Sequence, residues 1–315
     1  MTSIRALLYN AEGHDQEITL GEKHLELGKN QLLWVDGGLA DLKALPVLPP
    51  EMKAALDEKP GTANLEIFDT FYRFVLPCAS DRAGNRRSSL IFIVGKSWLL
   101  TVSEPRPKFM DNFVETDRGE TLNGRLTPSA LAVVLMAELF DVYRGQIGSV
   151  DARIDKLDEA ILRSNEKHTL LETLATLRRQ VSGLRAGLDE TANTIHALTR
   201  PDFFAHIDPL DHAYFESLGR TLERLQDSVS NARETIIGSF ELYTTRVAQD
   251  TNRLVKALTI VTVVTGVVGA TAGIFGMNFD TPFFHSGISG FSYVTGVMIG
   301  ASVGIVLIAV WRRWF

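Results

Sequence analysis

Cysteine occurs once in 315 residues, at Cys78, which excludes an internal disulfide framework and any cysteine-based zinc site. Basic excess is absent too. Against 38 Asp and Glu stand 32 Lys and Arg, a net charge of −6, so the electrostatic footprint of a nucleic-acid binder is missing. No phosphate loop is present: Gly28 and the pair Gly37-Gly38 lack the spacing and the following Lys-Ser/Thr, and they read as turns. The opening MTSIRALLYNAEGHDQEI has polar, acidic residues where a signal peptide needs an apolar core, so a mature, cytoplasmic start is expected. The most informative absence is local. From Ala257 to Val310 the only formally charged residue is Asp280.

That gap in charge defines two runs. Ala257 to Met277, ALTIVTVVTGVVGATAGIFGM, is 21 residues long and as a helix covers about 30 Å, the thickness of a bilayer's hydrocarbon core. Ile288 to Val310 is the second run, followed by Trp311-Arg312-Arg313-Trp314-Phe315. Two adjacent uncharged runs of this length predict membrane spans rather than a buried soluble hairpin. Arg246, Arg253 and Lys256 precede the first and Arg312 and Arg313 follow the second, whereas Asn278 to Gly287 has no Lys or Arg. The positive-inside rule then places both ends in the cytoplasm and the loop outside, with Trp311 and Trp314 as anchors at the inner interface. The expected location is the inner (plasma) membrane.

The rest reads as an α+β cytoplasmic domain with long coiled-coil-like helices. Over residues 1–126 the pattern is mixed. WVDGG and LEIFDTFYRFVLP read as strands, and SLIFIVGKSWLLTVSE reads as a hairpin turning at Gly95-Lys96-Ser97. Leu48-Pro49-Pro50 before EMKAALDE marks a helix start. From Pro128 the rhythm changes. Ile147, Val150, Ile154, Leu157 and Ile161 step by three and four, and after RSNEKH the same step runs through Leu170, Leu174, Leu177, Val181, Leu184, Leu188, Ile195 and Leu198. Such a period predicts an antiparallel helical hairpin over 127–208. Leu218, Leu222, Leu225, Val229, Ala232 and Ile236 open a third helix, a stalk over 209–256. Gly and Pro are absent from Ser239 to Thr265, so the stalk is expected to continue into a first span at 257–277 as one helix about 100 Å long. An external loop at 278–287, a second span at 288–310 and a basic tail at 311–315 complete the expected order.

Along the first span Asn252, Thr259, Thr262, Gly266, Gly269, Gly273 and Gly276 recur on one face. Two readings stand: close packing of small residues between helices, or a water-lined face with Asn252 at its inner mouth. A conduit would require a homo-oligomer about an axis, since two helices enclose nothing. His196, His206 and His212 with Asp208 and Asp211 read as ordinary polar residues around a loop rather than a metal site. No nucleophile constellation suggests an enzyme.

The segment Asn252-Arg-Leu-Val-Lys256-Ala-Leu258-Thr259, followed by Gly273-Ile-Phe-Gly276-Met277-Asn278-Phe279, resembles the CorA family of divalent-cation channels. That family carries Gly-Met-Asn at the outer end of the first of two C-terminal spans, and the likeness extends over the whole architecture. It implies a funnel-shaped homopentamer with first spans lining the pore and Asn278 forming a ring of amide oxygens, Gly276 and Met277 setting the backbone that presents it. Such a ring would hydrogen-bond the intact hydration shell of Mg²⁺, which surrenders its waters reluctantly, and hold it weakly enough for release. No resident cofactor is implied; the cation is cargo, Mg²⁺ first, with Co²⁺ or Ni²⁺ as further candidates. Two departures stand out. The family's Met-Pro-Glu-Leu-like loop is replaced by Phe279-Asp280-Thr281-Pro282-Phe283-Phe284, where Asp280 either concentrates cations or caps the turn. The mid-span proline is also missing. The alternatives are a proton-coupled Zn²⁺ transporter of the ZntB branch and a membrane-anchored scaffold that transports nothing.

Overall fold

The computed structural model describes residues 4–10, 15–20, 27–28, 30–45, 48, 50–57, 64–78, 89–116, 127–163, 167–277 and 287–312, Lys167 and His168 by backbone only. The chain forms two compact units: Met1–Ala160 with Glu166–Ser239, and Ile161–Asn165 with Phe240–Phe315.

The first unit is built on a seven-stranded sheet: β1 (Arg5–Asn10), β2 (Gln16–Glu17), β3 (Gln31–Gly37), β4 (Leu65–Ile67), β5 (Phe71–Pro77), β6 (Ser89–Gly95) and β7 (Trp98–Ser103). The order is β2-β1-β3-β7-β6-β5-β4. The hairpin expected at Gly95-Lys96-Ser97 is β6–β7, with Ile91 opposite Val102 and Ile93 opposite Leu100. β3 joins β7 in parallel, Leu33 against Trp98 and Val35 against Leu100. All other pairings are antiparallel. Between β3 and β4 the chain makes α1 (Leu39–Ala44) and α2 (Pro50–Asp57), the latter starting at the second proline as expected for a residue that needs no N–H partner there.

Both faces of the sheet are covered, which explains why its central strands are apolar throughout rather than alternating. Leu33, Val35, Ile93, Trp98, Leu100 and Val102 meet Leu42, Met52, Ala55 and Leu56 of α1 and α2. On the other face Phe74 stacks on Phe92 at 4.7 Å, and Trp34 meets Phe113 edge-on at 5.7 Å. Phe113 lies on α3 (Lys108–Thr116). Asp36 is buried on this face. It accepts from Thr101 Oγ1 at 2.5 Å and pairs with Arg106 at 3.1 Å, while Trp34 Nε1 donates to the same threonine at 3.0 Å. Burial pushes the Asp36 carboxyl above its ordinary range, and Arg106 and Thr101 draw it partly back.

Beyond the sheet stand α4 (Pro128–Arg163), α5 (Lys167–Leu198), the single turn α6 (Pro201–Phe204) and α7 (His212–Phe275). The apolar stripes expected from the three-and-four rhythm are the buried ones: Ile147, Val150, Ile154, Leu157 and Ile161 on α4; Leu174, Leu177, Val181, Leu184 and Leu188 on α5; Leu218, Leu222, Leu225, Val229 and Ile236 on α7. Burying one such side chain contributes roughly 1.5–3 kcal/mol, which is why these faces hold helices of this length. Polar ties fix the register. Arg153 donates to Gln180 Oε1 at 2.6 Å, and Gln226 to Asp189 Oδ1 at 3.2 Å. Thr194 Oγ1 ties α5 to the sheet by donating to the Val75 carbonyl at 3.0 Å. The uninterrupted third helix is observed: α7 is one helix of 64 residues.

The second unit holds the end of α7 and α8 (Gly287–Trp311).

Candidate functional site: the end of the long helix

Two helices, α7 and α8, contain apolar windows of mean hydropathy 2.0 and 2.2, each long enough to cross a membrane. Only 6% of the residues in either window are buried. A core helix of a soluble protein would hide such a surface, so these segments need an apolar surrounding from outside the chain.

Within its apolar part α7 is shielded along one stripe and exposed around the rest of its surface. Ala257, Ile260, Val264, Val267, Val268 and Thr271 are partly or fully shielded. Asn252, Thr259, Thr262, Gly266, Gly269 and Gly273 are all exposed. At about 100° per residue the two sets lie on opposite sides of the helix. A Cβ built at Gly266, Gly269 or Gly273 would meet nothing within 4 Å. Close packing inside the chain therefore does not account for these glycines. The stripe is also polar in a particular sense. Thr259 Oγ1 donates to the Val255 carbonyl and Thr262 Oγ1 to that of Leu258, both at 2.8 Å. With their protons committed to their own helix, both oxygens present only lone pairs outward. That suits them to receive hydrogens of water around a cation.

Helix α7 closes at the glycine. Gly276 N–H donates to the Ala272 carbonyl at 2.8 Å and Met277 N–H to that of Ile274 at 3.3 Å. A Cβ at Gly276 would lie 3.1 Å from the Ala272 oxygen, so a larger residue would crowd the last turn. Met277 is exposed. Asn278 and Asp280 lie outside the described residues, as does Arg313. Thus the structure brings Gly276 and Met277 to the helix end with six stripe residues below them.

A second set of small residues escaped the sequence reading. Gly296, Gly300 and Gly304 recur every four residues on α8, and a Cβ at each would also meet nothing within 4 Å. Their spacing was legible as a small-residue stripe. Among the described residues no group of three or more His, Cys, Asp and Glu is placed to hold an ion. His212 instead stacks on Phe204 at 4.2 Å and bonds its carbonyl at 3.0 Å.

Away from the spans, the first unit contains a cavity of about 870 Å³. The β6–β7 turn at Lys96 and Ser97, the start of α4 at Thr127 and Ser129, and Asp208 and Asp211 before α7 line it. Asp211 is the buried carboxylate of its wall.

Residues 36–313 match the family profile described as "CorA-like Mg2+ transporter protein". The chain is 30% identical over 146 residues to the "Cobalt/magnesium transport protein CorA" of Thermotoga maritima, covering 46% of this chain and 41% of that protein. It is 27% identical over 197 residues to the "Putative metal ion transporter YfjQ" of Bacillus subtilis, covering 60% of this chain and 58% of the relative. These alignments therefore span about half the length of each curated relative. Among solved structures, "The complete structure of CorA magnesium transporter from Methanocaldococcus jannaschii" superposes with a TM-score of 0.77 at 19% identity, covering 100% of both chains. The "structure of the full-length CmaX protein" gives 0.69 at 19% identity, over 96% of this chain and 98% of the other. At such identities the likeness establishes the fold.

Proposed function

Since this chain belongs to the CorA-like Mg2+ transporter family, we propose that it passes divalent cations, Mg²⁺ foremost, across a membrane through a channel formed by several copies. One observation carries the reading. The helix that ends at Gly276 and Met277 leaves open, on the side opposite its shielded stripe, a row of glycines and acceptor-only threonine oxygens.

Two spans cannot surround a pore, so copies arrange themselves about an axis with these stripes facing it; the family resemblance makes the number five. Glycines at 266, 269 and 273 keep the conduit wide and expose backbone carbonyls. Thr259 and Thr262 supply oxygens lower down, and Asn252 stands at the inner mouth. At the outer mouth Asn278 presents neutral amide oxygens to the hydrated ion. Neutral acceptors favour Mg²⁺ because it keeps its waters, and they release it more readily than a ring of carboxylates would. Asp280, just beyond, raises the local cation concentration. Both termini face the cytoplasm, where Arg246, Arg253, Lys256 and Arg312 meet the inner surface, and the negative interior potential drives entry.

Liposomes carrying the purified chain test this reading. Uptake of Mg²⁺, Co²⁺, Ni²⁺ and Zn²⁺ is followed with and without a pH gradient. Mg²⁺ entry that follows the membrane potential and ignores the pH gradient is expected. Zn²⁺ entry that requires a proton gradient would replace this reading with exchange or symport. Absence of flux for every ion would leave an anchored scaffold.

A further inference from the structure

Two long helices begin in the first unit at one carboxylate. Thr127 caps α4: its Oγ1 accepts from the Ala130 N–H and its carbonyl from the Leu131 N–H, both at 3.0 Å. Asp211 stands at the same place before α7, its carbonyl accepting from the Tyr214 N–H at 3.1 Å and the Phe215 N–H at 3.4 Å. An aspartate there ordinarily turns its side chain back onto its own helix. This one does not. Thr127 Oγ1 donates to the carboxylate, 2.9 Å from Oδ1 and 2.8 Å from Oδ2, across 84 positions of sequence. The Ser129 hydroxyl, itself 2.9 Å from Tyr72 Oη, lies close enough to favour the charged form of the carboxylate.

We propose that the Thr127–Asp211 pair is a joint through which the first turns of α4 and α7 open and close together. An Ala130 N–H polarised by the α4 dipole feeds the threonine hydroxyl, and the hydroxyl feeds the carboxylate, so each bond strengthens the next. Loss of either member weakens both helix starts. Among the described residues no Lys or Arg pairs with Asp211; the Thr127 hydroxyl holds it. The charged and titratable groups beside it are Asp208, His212 and, from β5, Tyr72. Burial holds the carboxyl above its ordinary range, with Asp208 adding to the rise and Thr127, Ser129 and His212 opposing it. The joint is thus short of compensating charge. It also lies in the wall of the 870 Å³ cavity, which gives water a route to it.

Residue-resolved amide exchange on the full chain tests the joint without any ion flux, so it stands or falls separately from the transport reading. Asp211→Ala is expected to speed exchange at Ala130 and Leu131, on the other helix, by about fivefold, the equivalent of one lost hydrogen bond of about 1 kcal/mol. Thr127→Val is expected to do the same at Tyr214 and Phe215, and Thr127→Ser, which keeps the hydroxyl, to restore the original rates. Should Asp211→Ala fail to fold, Asp211→Asn reads the same amides with a smaller, about twofold, change. Acceleration confined to the helix that carries the substitution would overturn the proposal.

Discussion

Replacing Gly269 by alanine separates the two readings of the α7 stripe, because they predict opposite signs. In the single chain the new methyl meets nothing within 4 Å, so no steric cost arises there. A glycine inside a helix is about 0.5–1 kcal/mol worse than alanine, since its backbone loses more freedom on folding. If the stripe faces a water-filled axis, Gly269→Ala should therefore stabilise the assembly by about that amount per chain, at unchanged oligomer mass. If instead the glycine lets another helix approach closely, the methyl must be forced into a packed contact, at about 1–3 kcal/mol. Thermal unfolding in mild detergent, read beside light-scattering mass, measures the sign. Gly269→Leu extends the test: at an open axis it should abolish Mg²⁺ uptake while the oligomer persists. A lowered midpoint for Gly269→Ala, or dissociation of the oligomer, would refute the open-axis assignment.

Two further predictions concern the seven-stranded sheet. A Cβ at Gly95 would lie 2.2 Å from Trp98 Cε2, inside a ring that is 2% exposed, so Gly95→Ala should cost about 1–3 kcal/mol in urea unfolding; an unchanged midpoint would show that the indole moves freely. Asp36 should make stability fall with pH: its carboxyl is raised in the fold above the ordinary 3.8, so the folded state holds the proton more tightly than the unfolded one. Its favourable share is complete below about 3.8 and is lost as pH rises through the folded value. The advantage of the native chain over Asp36→Asn should thus shrink with rising pH in urea titrations, and a growing advantage would contradict the assignment.

The parts of the fold legible in the sequence are those set by local pattern. The spans show because lipid tolerates no charge, and only Asp280 breaks the silence between Lys256 and Arg312. The helical seams show because Ile154, Leu157 and Ile161, or Leu218, Leu222 and Leu225, repeat with the helix period. The β6–β7 hairpin shows because its strands are neighbours in sequence. The parallel pairing of β3 with β7 does not, since nothing local connects Leu33 to Trp98. Nor does the meeting of Thr127 with Asp211, which each sequence neighbourhood presents as an ordinary helix cap. Within the candidate site the stripe was legible as a periodicity, whereas its freedom from the chain's own packing needed the fold: no other part of the chain comes within 4 Å of a Cβ at Gly266, Gly269 or Gly273. The glycines of α8 carry an equally plain spacing, masked in reading by a run that is apolar all round.

The central claim is that Asn278 selects the ion, and Mg²⁺ uptake by Asn278→Ala in liposomes addresses it most directly. The variant is compared with the native chain at equal reconstitution and equal oligomer mass. The account predicts loss of Mg²⁺ uptake, or of its preference over Co²⁺ and Ni²⁺, with the oligomer intact. Full Mg²⁺ uptake with native selectivity in that variant would contradict it.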